Sequence, residues 1–285
     1  MFYTIFVNCN LFIDFVKIKE KRMRKIKSLA LIALTSFAIA ACSSGNKEVE
    51  QASVDELYAK GAAALQEGSY SDSIRYLKAA TERFPGSTYQ EQAMLDLIYA
   101  NYKTQDYTAT LVTVDNFLQQ FPQSPNRDYA VYMAGLTNLA TADNMIQDFF
   151  GIDRATRETT SMKTAFSNFQ SLVRAFPNSP YSQDAVARMA YIKDSLARHE
   201  LEIAKFYAKR DAWVAVSNRV VGMLQQYPDA KATYEGLFLM KEAYEKMGLQ
   251  QLANQTQQVI DANKDKQFAE VKKPEESDLT QPVKK

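Results

Sequence analysis

Phe84-Pro85-Gly86-Ser87 recurs in similar form at three later places in the chain, and this recurring stretch decides the fold. The later copies are Phe121-Pro122-Gln123-Ser124, Phe176-Pro177-Asn178-Ser179 and Tyr227-Pro228-Asp229-Ala230. Each copy has an aromatic residue, a proline, a polar residue or glycine, and then a small residue. Proline suits the position just past a helix end because it cannot continue the helix. Such repetition is typical of an array of structural repeats.

The segments before these prolines have the periodicity of amphipathic helices. Apolar residues recur every three to four positions in the sets Ile74, Leu77, Ala80, Phe84; Leu111, Val114, Phe117, Leu118, Phe121; and Val216, Val220, Met223, Leu224, Tyr227. This spacing places the apolar side chains on one face of each helix. No sustained alternation of β-branched residues is present, so we expect an all-α protein with almost no strand.

Small residues mark where the predicted helices cross. At the same distance after each proline the chain has Ala93, Ala130, Ala185 and Gly236. Further upstream, a first helix containing Gly61 leads through a short turn into the helix that ends before Pro85. Small side chains at these points let paired antiparallel helices approach closely. A generic helical bundle is the alternative, but the constant offsets favour a repeat.

These features resemble the tetratricopeptide repeat, a helix hairpin of about 34 residues. The resemblance predicts a right-handed superhelical array of about five tetratricopeptide-like hairpins over residues 53–263. The interval between Pro122 and Pro177 is longer than one repeat and predicts an insert at about 143–160, between helices at residues 128–142 and 163–176. Residues 183–210 are predicted to form one or two long helices. The polar tail, residues 264–285, is predicted to be disordered because it has little apolar surface to bury.

The N-terminal region has the composition of a secretory signal peptide. Basic residues at 24, 25 and 27 precede an apolar run at residues 29–39 that is too short to span a bilayer. The run ends in Ile39-Ala40-Ala41-Cys42, which resembles a bacterial lipobox. The resemblance implies an S-diacylglycerol and an N-acyl group on Cys42, and therefore a stable membrane anchor. An ordinary signal peptide cleaved near Ala41, with an unmodified cysteine, is the alternative.

The order of these signals divides the N-terminal region into three parts. Met23 begins a better signal peptide than Met1, so residues 1–22 are expected to be an over-extended start, with a genuine extension as the alternative. Residues 23–41 are predicted to be the lipoprotein signal peptide and residues 42–52 the lipidated tether. Ser43, rather than an aspartate, follows the cysteine. By lipoprotein sorting logic, this predicts the outer membrane.

Composition excludes several classes of function. The net charge is +1, with 34 basic and 33 acidic residues, so we expect no nucleic acid partner. Cys9 lies in the suspected extension and Cys42 in the lipobox, so no disulfide is expected in the mature protein. His199 is the one histidine, and no metal-spaced cluster or glycine-rich phosphate loop occurs. We therefore expect neither an enzyme nor a cofactor other than the acyl groups on Cys42.

Four stretches resemble the lipoprotein family of the outer-membrane β-barrel assembly machine. They are Asp96-Leu97-Ile98-Tyr99-Ala100-Asn101-Tyr102-Lys103, Tyr132-Met133-Ala134-Gly135-Leu136-Thr137-Asn138, Phe149-Phe150-Gly151-Ile152-Asp153-Arg154 and Ala212-Trp213-Val214-Ala215-Val216-Ser217-Asn218-Arg219-Val220. The resemblance implies an adaptor on the periplasmic face of the outer membrane. Its implied partners are BamA, smaller accessory lipoproteins and unfolded β-barrel substrates. Other tetratricopeptide lipoproteins, such as secretin pilotins or activators of peptidoglycan synthesis, are the alternative but should lack the insert.

Candidate site residues follow from the repeat template and this resemblance. In a tetratricopeptide array, side chains of the first helix of each hairpin line a groove. In the three N-terminal hairpins these residues are Asp55, Tyr58, Gln92, Tyr99, Tyr102, Lys103, Tyr129 and Tyr132. Tyrosine offers a stacking surface and a hydroxyl to an extended peptide, although several of these rings could instead pack between helices. The insert contributes Phe149, Phe150, Asp153 and Arg154. We expect its phenylalanines to form a plug that shapes the groove, with an exposed clamp as the alternative, and Asp153 and Arg154 to form a local ion pair. Arg219 is predicted to contact BamA, the alternative being a solvated charge.

Overall fold

The computed structural model describes residues 49–146, 152–275 and 280–281, without the side chains of residues 143–146 and 152–158. The helices in these ranges from residue 54 onward are α1 Val54–Gln66, α2 Tyr70–Arg83, α3 Gln90–Lys103, α4 Tyr107–Gln120, α5 Arg127–Ile146, α6 Ile152–Ala175, α7 Ser182–Ala208, α8 Trp213–Gln226, α9 Lys231–Lys246 and α10 Gln250–Asn263. No strand is present among the described residues. The expected all-α class is confirmed.

Successive helices pair into hairpins, and each hairpin packs against the next. Every helix contacts the one that follows it in the chain, and the first helices of adjacent hairpins also meet, as α1 with α3 and α3 with α5. The hairpins α1–α2, α3–α4, α5–α6, α7–α8 and α9–α10 form the predicted array of tetratricopeptide-like units. One large hydrophobic core joins α3 to α10, and two smaller clusters lie around the first hairpin.

The proline stretches form the turns between hairpins. In each of the four, the amide of the small residue donates to the aromatic carbonyl three positions earlier, as from Ser87 to Phe84 at 3.2 Å and from Ser179 to Phe176 at 3.0 Å. Proline fits the second position of such a turn because its ring fixes φ near −65°. Each helix therefore stops at the aromatic residue, and the chain reverses into the next hairpin.

The turns inside the hairpins share a left-handed residue. Gly68, Gln105, Asp211 and Gly248 each have a φ between 54° and 76°, two residues before the second helix of the pair. The next amide donates back to a carbonyl in the last turn of the first helix, as from Asp106 to Asn101 at 2.9 Å. This hydrogen bond and the left-handed residue are the marks of a Schellman cap. The third hairpin has the insert in place of this turn.

Small residues allow the helices of a hairpin to cross closely. A methyl group on Gly135 of α5 would come within 2.5 Å of the Phe169 ring on α6, and one on Gly61 of α1 would come within 2.7 Å of Leu77 on α2. Ala93, Ala130 and Ala185, which follow the prolines, are fully buried. The small-residue positions are thus closely packed helix contacts.

The helices extend further into the insert than expected from the sequence. Helix α5 continues to Ile146, and α6 begins at Ile152 instead of near Lys163. Residues 152–162 contain no glycine or proline, so nothing in the sequence interrupts that helix. Phe149 and Phe150 lie outside the described residues, and Asp153 and Arg154 lie on α6 without described side chains. Residues 183–210, expected to form one or two helices, contribute to the single helix α7.

We expect Gly135→Ala to lower the free energy of unfolding by about 1–3 kcal/mol, because the added methyl group overpacks the contact with Phe169. Thermal or urea denaturation followed by circular dichroism measures the change. Gly222→Ala on α8 is the matched control. A methyl group there would meet nothing within 4 Å, so the better helix propensity of alanine should stabilise the protein by up to about 1 kcal/mol. Equal effects of the two changes would contradict this account.

We expect Gln105→Gly to raise the free energy of unfolding by roughly 1 kcal/mol, because glycine adopts the left-handed conformation without the steric cost of a side chain. Urea denaturation measures the difference from the unchanged protein. Gln258→Gly in the interior of α10 is the control, and it should destabilise by about 0.5–1 kcal/mol. A destabilising Gln105→Gly would show that the side chain, rather than the turn, matters at this position.

Candidate partner-binding groove

A cavity of about 740 Å³ lies between the first helices of the first two hairpins. We call it the N-terminal cavity; it is lined by Tyr58, Ala62, Leu65, Gln66, Gly68, Tyr70, Thr88, Tyr89, Gln92, Asp96, Tyr99 and Gln281. Three of the residues predicted to line the groove, Tyr58, Gln92 and Tyr99, are therefore brought together here. The lining combines aromatic rings, amides and a carboxylate, a combination suited to binding polypeptide.

Aromatic pairs form two sides of the N-terminal cavity. The rings of Tyr58 and Tyr89 stack with centroids 4.6 Å apart, and Tyr70 meets Tyr99 edge to face at 6.0 Å. The hydroxyl of Tyr89 hydrogen-bonds with Asp55, and this bond together with the negative charge raises the pKa of Tyr89. Asp55, which was predicted to line the groove, thus contacts the cavity residue Tyr89. These pairs hold the rings in place while leaving Tyr58 and Tyr89 partly exposed.

Asp96 is a carboxylate buried in the wall of the N-terminal cavity. Only 5% of its surface is exposed, and it accepts a hydrogen bond from Nε2 of Gln92 at 3.1 Å. Burial, with the charge and hydrogen bond of Asp96, raises the pKa of Tyr58 to about 12. Tyr58 therefore stays protonated at neutral pH.

Tyr129 and Tyr132 are placed differently from the expected groove wall. Both are fully buried, because their rings pack against Tyr181 at 5.8 and 4.9 Å. Tyr132 also lies 6.1 Å from the Phe169 ring. Their rings are therefore part of the core between hairpins, and only their hydroxyls point to polar groups. Desolvation is the main reason why the pKa of Tyr129 lies well above its usual value.

A partly buried hydrogen-bond chain runs from Tyr132 through Asp184 to Arg188. The hydroxyl of Tyr132 donates to Oδ2 of Asp184 at 2.6 Å, and Nε of Arg188 donates to the same oxygen at 2.6 Å. Burial opposes the charge on Arg188, but the hydrogen bond and charge of Asp184 outweigh it and raise the Arg188 pKa. Only 6% of Arg188 is exposed. Its guanidinium is therefore a fixed, charged donor in the groove.

A second cavity, of about 130 Å³, continues the groove toward α7. Tyr102 and Arg188 line it together with Leu136, Leu139, Ala140, Lys273, Pro274 and Thr280. The predicted groove residue Tyr102 thus faces a different part of the groove from Tyr99. Lys103, at the end of α3, is half-buried. The groove residues of the sequence prediction therefore spread over two cavities and the core between them.

Arg219 lies outside this groove. It is on α8, and its Nη1 pairs with Oε2 of Glu200 on α7 at 2.8 Å. The Arg219 side chain is 38% exposed and that of Glu200 is 23% exposed. The two residues line a shallow cavity of about 300 Å³ with Tyr207 and Tyr227. Arg219 is thus positioned by the first helix of its own hairpin, with part of its guanidinium open to solvent.

Comparison with known proteins shows which family this chain belongs to. Residues 50–259 match the profile of the YfiO family, described as outer membrane lipoprotein. The chain belongs to the YfiO family. Its relatives named outer membrane protein assembly factor BamD include those of Haemophilus influenzae, 79% identical over 92% of this chain and 99% of the relative, and Pasteurella multocida, 68% identical over 89% and 97%. That of Vibrio cholerae is 38% identical over 78% of this chain and 92% of the relative.

Membership of the YfiO family gives an association with the outer membrane and with outer membrane protein assembly. The named relatives are assembly factors, which favours a scaffold over an enzyme. Among the described residues, none of the helices combines the length and apolar character needed to cross a bilayer. Cys42 and the predicted signal peptide lie outside the described residues, so lipidation stays a prediction.

Several residues of the groove in this YfiO-family chain were missed by sequence reasoning. Asp96 was detectable because it interrupts the apolar run at residues 93–100. The pair Asp184 and Arg188 has the spacing of a helical ion pair, but that spacing is common on solvated faces. Tyr89 follows a proline turn and precedes α3, and no sequence signal distinguished it from a loop residue.

We expect Tyr132→Phe to lower the free energy of unfolding by about 1.5–3 kcal/mol, because the partly buried Asp184 carboxylate loses a short hydrogen bond. Thermal denaturation measures the loss. Tyr191→Phe is the matched control: it removes a hydroxyl from a half-buried tyrosine on α7 and should change the stability little. Equal losses of stability in the two variants would contradict the role given to the Tyr132 hydroxyl.

Proposed function

We propose that this chain is a non-enzymatic adaptor of outer membrane protein assembly. Acyl groups on Cys42 anchor it to the periplasmic face of the outer membrane. It binds BamA and accessory lipoproteins, and it contacts unfolded β-barrel proteins during their insertion. The observation that carries this proposal is a tyrosine-lined groove on an array of this lipoprotein family. The names of the relatives support the role in assembly.

The contact with unfolded substrate is assigned to the N-terminal cavity and its continuation at Tyr102. Tyrosine rings give large contact areas at low cost in side-chain entropy, and their hydroxyls serve the peptide backbone. The carboxylate of Asp96 is already engaged by Tyr58 and Gln92, so the cavity does not present it as a bare charge. Barrel substrates commonly end in an aromatic-rich strand. We assign to Lys103 the binding of the carboxylate at the C-terminus of that strand.

The contact with BamA is assigned to Arg219. Its pairing with Glu200 fixes the guanidinium, and its partial exposure lets it reach a second carboxylate. Arginine suits this role because its planar fork can bind two oxygens at once. The insert, with Phe149, Phe150, Asp153 and Arg154, is assigned to shaping the groove.

We expect Arg219→Glu to reduce BamA recovered with the protein by about tenfold or more, because reversal turns an attraction into repulsion. Detergent pull-down with quantitative mass spectrometry measures it. Arg198→Glu on α7, which also breaks an exposed pair with an aspartate, is the control and should leave recovery unchanged. Undiminished recovery with Arg219→Glu would remove the assignment. Recovery of a secretin or a peptidoglycan synthase instead of BamA, by the unmodified protein, would contradict the proposed function itself.

We expect Tyr99→Ala combined with Tyr102→Ala to weaken binding of a peptide ending in an aromatic residue by about tenfold, because two stacking surfaces are lost. Fluorescence anisotropy with a labelled ten-residue peptide measures the affinity. The double change to phenylalanine keeps the rings and should retain most of it. Unchanged affinity in a double alanine variant that melts normally would overturn the assignment. Amidation of the peptide terminus should weaken binding if Lys103 holds the carboxylate.

A further inference from the structure

The polypeptide after α10 does not leave the array but turns back onto it. The ring of Phe268 lies 5.4 Å from that of Tyr234 on α9, and Nζ of Lys266 lies 3.4 Å from Oδ1 of Asp229. Tyr234 is itself packed against the main hydrophobic core. The disorder expected for residues 264–285 stays a prediction for the tail as a whole. Its described residues nevertheless begin in contact with the fifth hairpin.

Further along, the same polypeptide lies in the groove. The carbonyl oxygen of Glu275 accepts a hydrogen bond from Nη2 of Arg188 at 2.9 Å, and Lys273 and Pro274 line the second cavity. The carbonyl oxygen of Thr280 accepts one from the hydroxyl of Tyr129 at 2.9 Å. Gln281 then lines the N-terminal cavity. The described residues of the tail therefore extend from the last hairpin to the first.

The hydrogen bonds that Arg188 and Tyr129 donate to the tail are made with its main chain. Arg188 and Tyr129 bind carbonyl oxygens, and Thr280 is 4% exposed although it presents no apolar side chain. The two donors are held in place before any ligand arrives. Asp184 fixes the guanidinium, and burial keeps the Tyr129 hydroxyl protonated by raising its pKa. A site of this kind accepts an extended segment with little regard to its sequence.

The tail has few apolar side chains to bury against the array. Between residues 264 and 281 the apolar side chains larger than alanine, apart from Pro274, are Phe268, Val271 and Leu279, and the remainder is mostly charged or polar. Its hold therefore depends on being part of the same molecule. A covalent connection gives an effective concentration in the millimolar range, which allows a weak segment to fill a site. The tail also begins after residue 259, where the match to the family profile ends.

We propose that the described tail residues, 264–275 and 280–281, are a resident occupant of the groove. They are held through main-chain carbonyls by Arg188 and Tyr129, and an incoming extended polypeptide must displace them. This inference rests on the proposed function in so far as the displacing polypeptide is an unfolded barrel protein. Until such a segment competes successfully, the tail of the protein itself fills the groove.

Hydrogen–deuterium exchange on the full chain tests the docking without reference to any substrate. The amides at residues 280–281 should exchange more slowly than in a free peptide of the same sequence, because Thr280 is buried against the groove. Phe268→Ala, which removes the contact with Tyr234 and leaves the array intact, should speed exchange there by about 5–10-fold. Tyr129→Phe should do the same by removing one buried hydrogen bond. Tyr191→Phe should have no effect. Tail amides of the unmodified chain that exchange as in the free peptide would overturn the proposal.

Anisotropy titration with the labelled aromatic-ended peptide tests the competition. Phe268→Ala should bind that peptide about fivefold more tightly than the unmodified chain, because less of the groove is occupied. Equal affinities, with the peptide bound in the groove of both proteins, would refute the competition. A peptide that binds neither protein would count against the proposed substrate contact. In that case, the docking of the tail is decided by the exchange measurements alone.

Discussion

The hydrogen bond across each proline turn is the constraint on which the rest of the structure depends. It ends one hairpin at an aromatic residue and starts the next within a few residues, in the same way at all four junctions. Together with the left-handed caps inside the hairpins, it allows little variation in how neighbouring units stack. Because the units stack alike, their first helices lie side by side, and side chains far apart in sequence come to line one groove.

Charge inside the groove is stabilised by pairing. Arg188 and Asp184 are both largely removed from solvent, and an isolated charge there would be costly. The Asp184 carboxylate also accepts hydrogen bonds from the Tyr132 hydroxyl and from Nη2 of Arg188. A pair satisfied in this way adds little to stability, but it fixes a donor at a defined place. The array thereby gains a fixed hydrogen-bond donor in the groove.

The sequence predicted the architecture well because its signals are local. A proline after an aromatic residue, a small residue at a fixed distance and an apolar stripe each act within one or two turns of helix. The groove was predicted less well. Tyr129 and Tyr132 follow the repeat template, but their rings are covered by Tyr181 of the next unit. Whether a tyrosine lines a surface or a core depends on what the neighbouring hairpin places against it. The start of α6 was missed because insert length alone does not distinguish a loop from extra helical turns.

A tail that reaches from the fifth hairpin to the first changes how the stack behaves as a mechanical object. Repeats that touch only their neighbours behave as a one-dimensional chain, whose terminal units can open while the middle stays folded. The contacts of Phe268 with the fifth hairpin and of Thr280 with the third, and the place of Gln281 in the wall of the N-terminal cavity, work as a strap along the stack. With the strap in place, opening of either terminal unit strains the other, and with the strap released the terminal units can open independently.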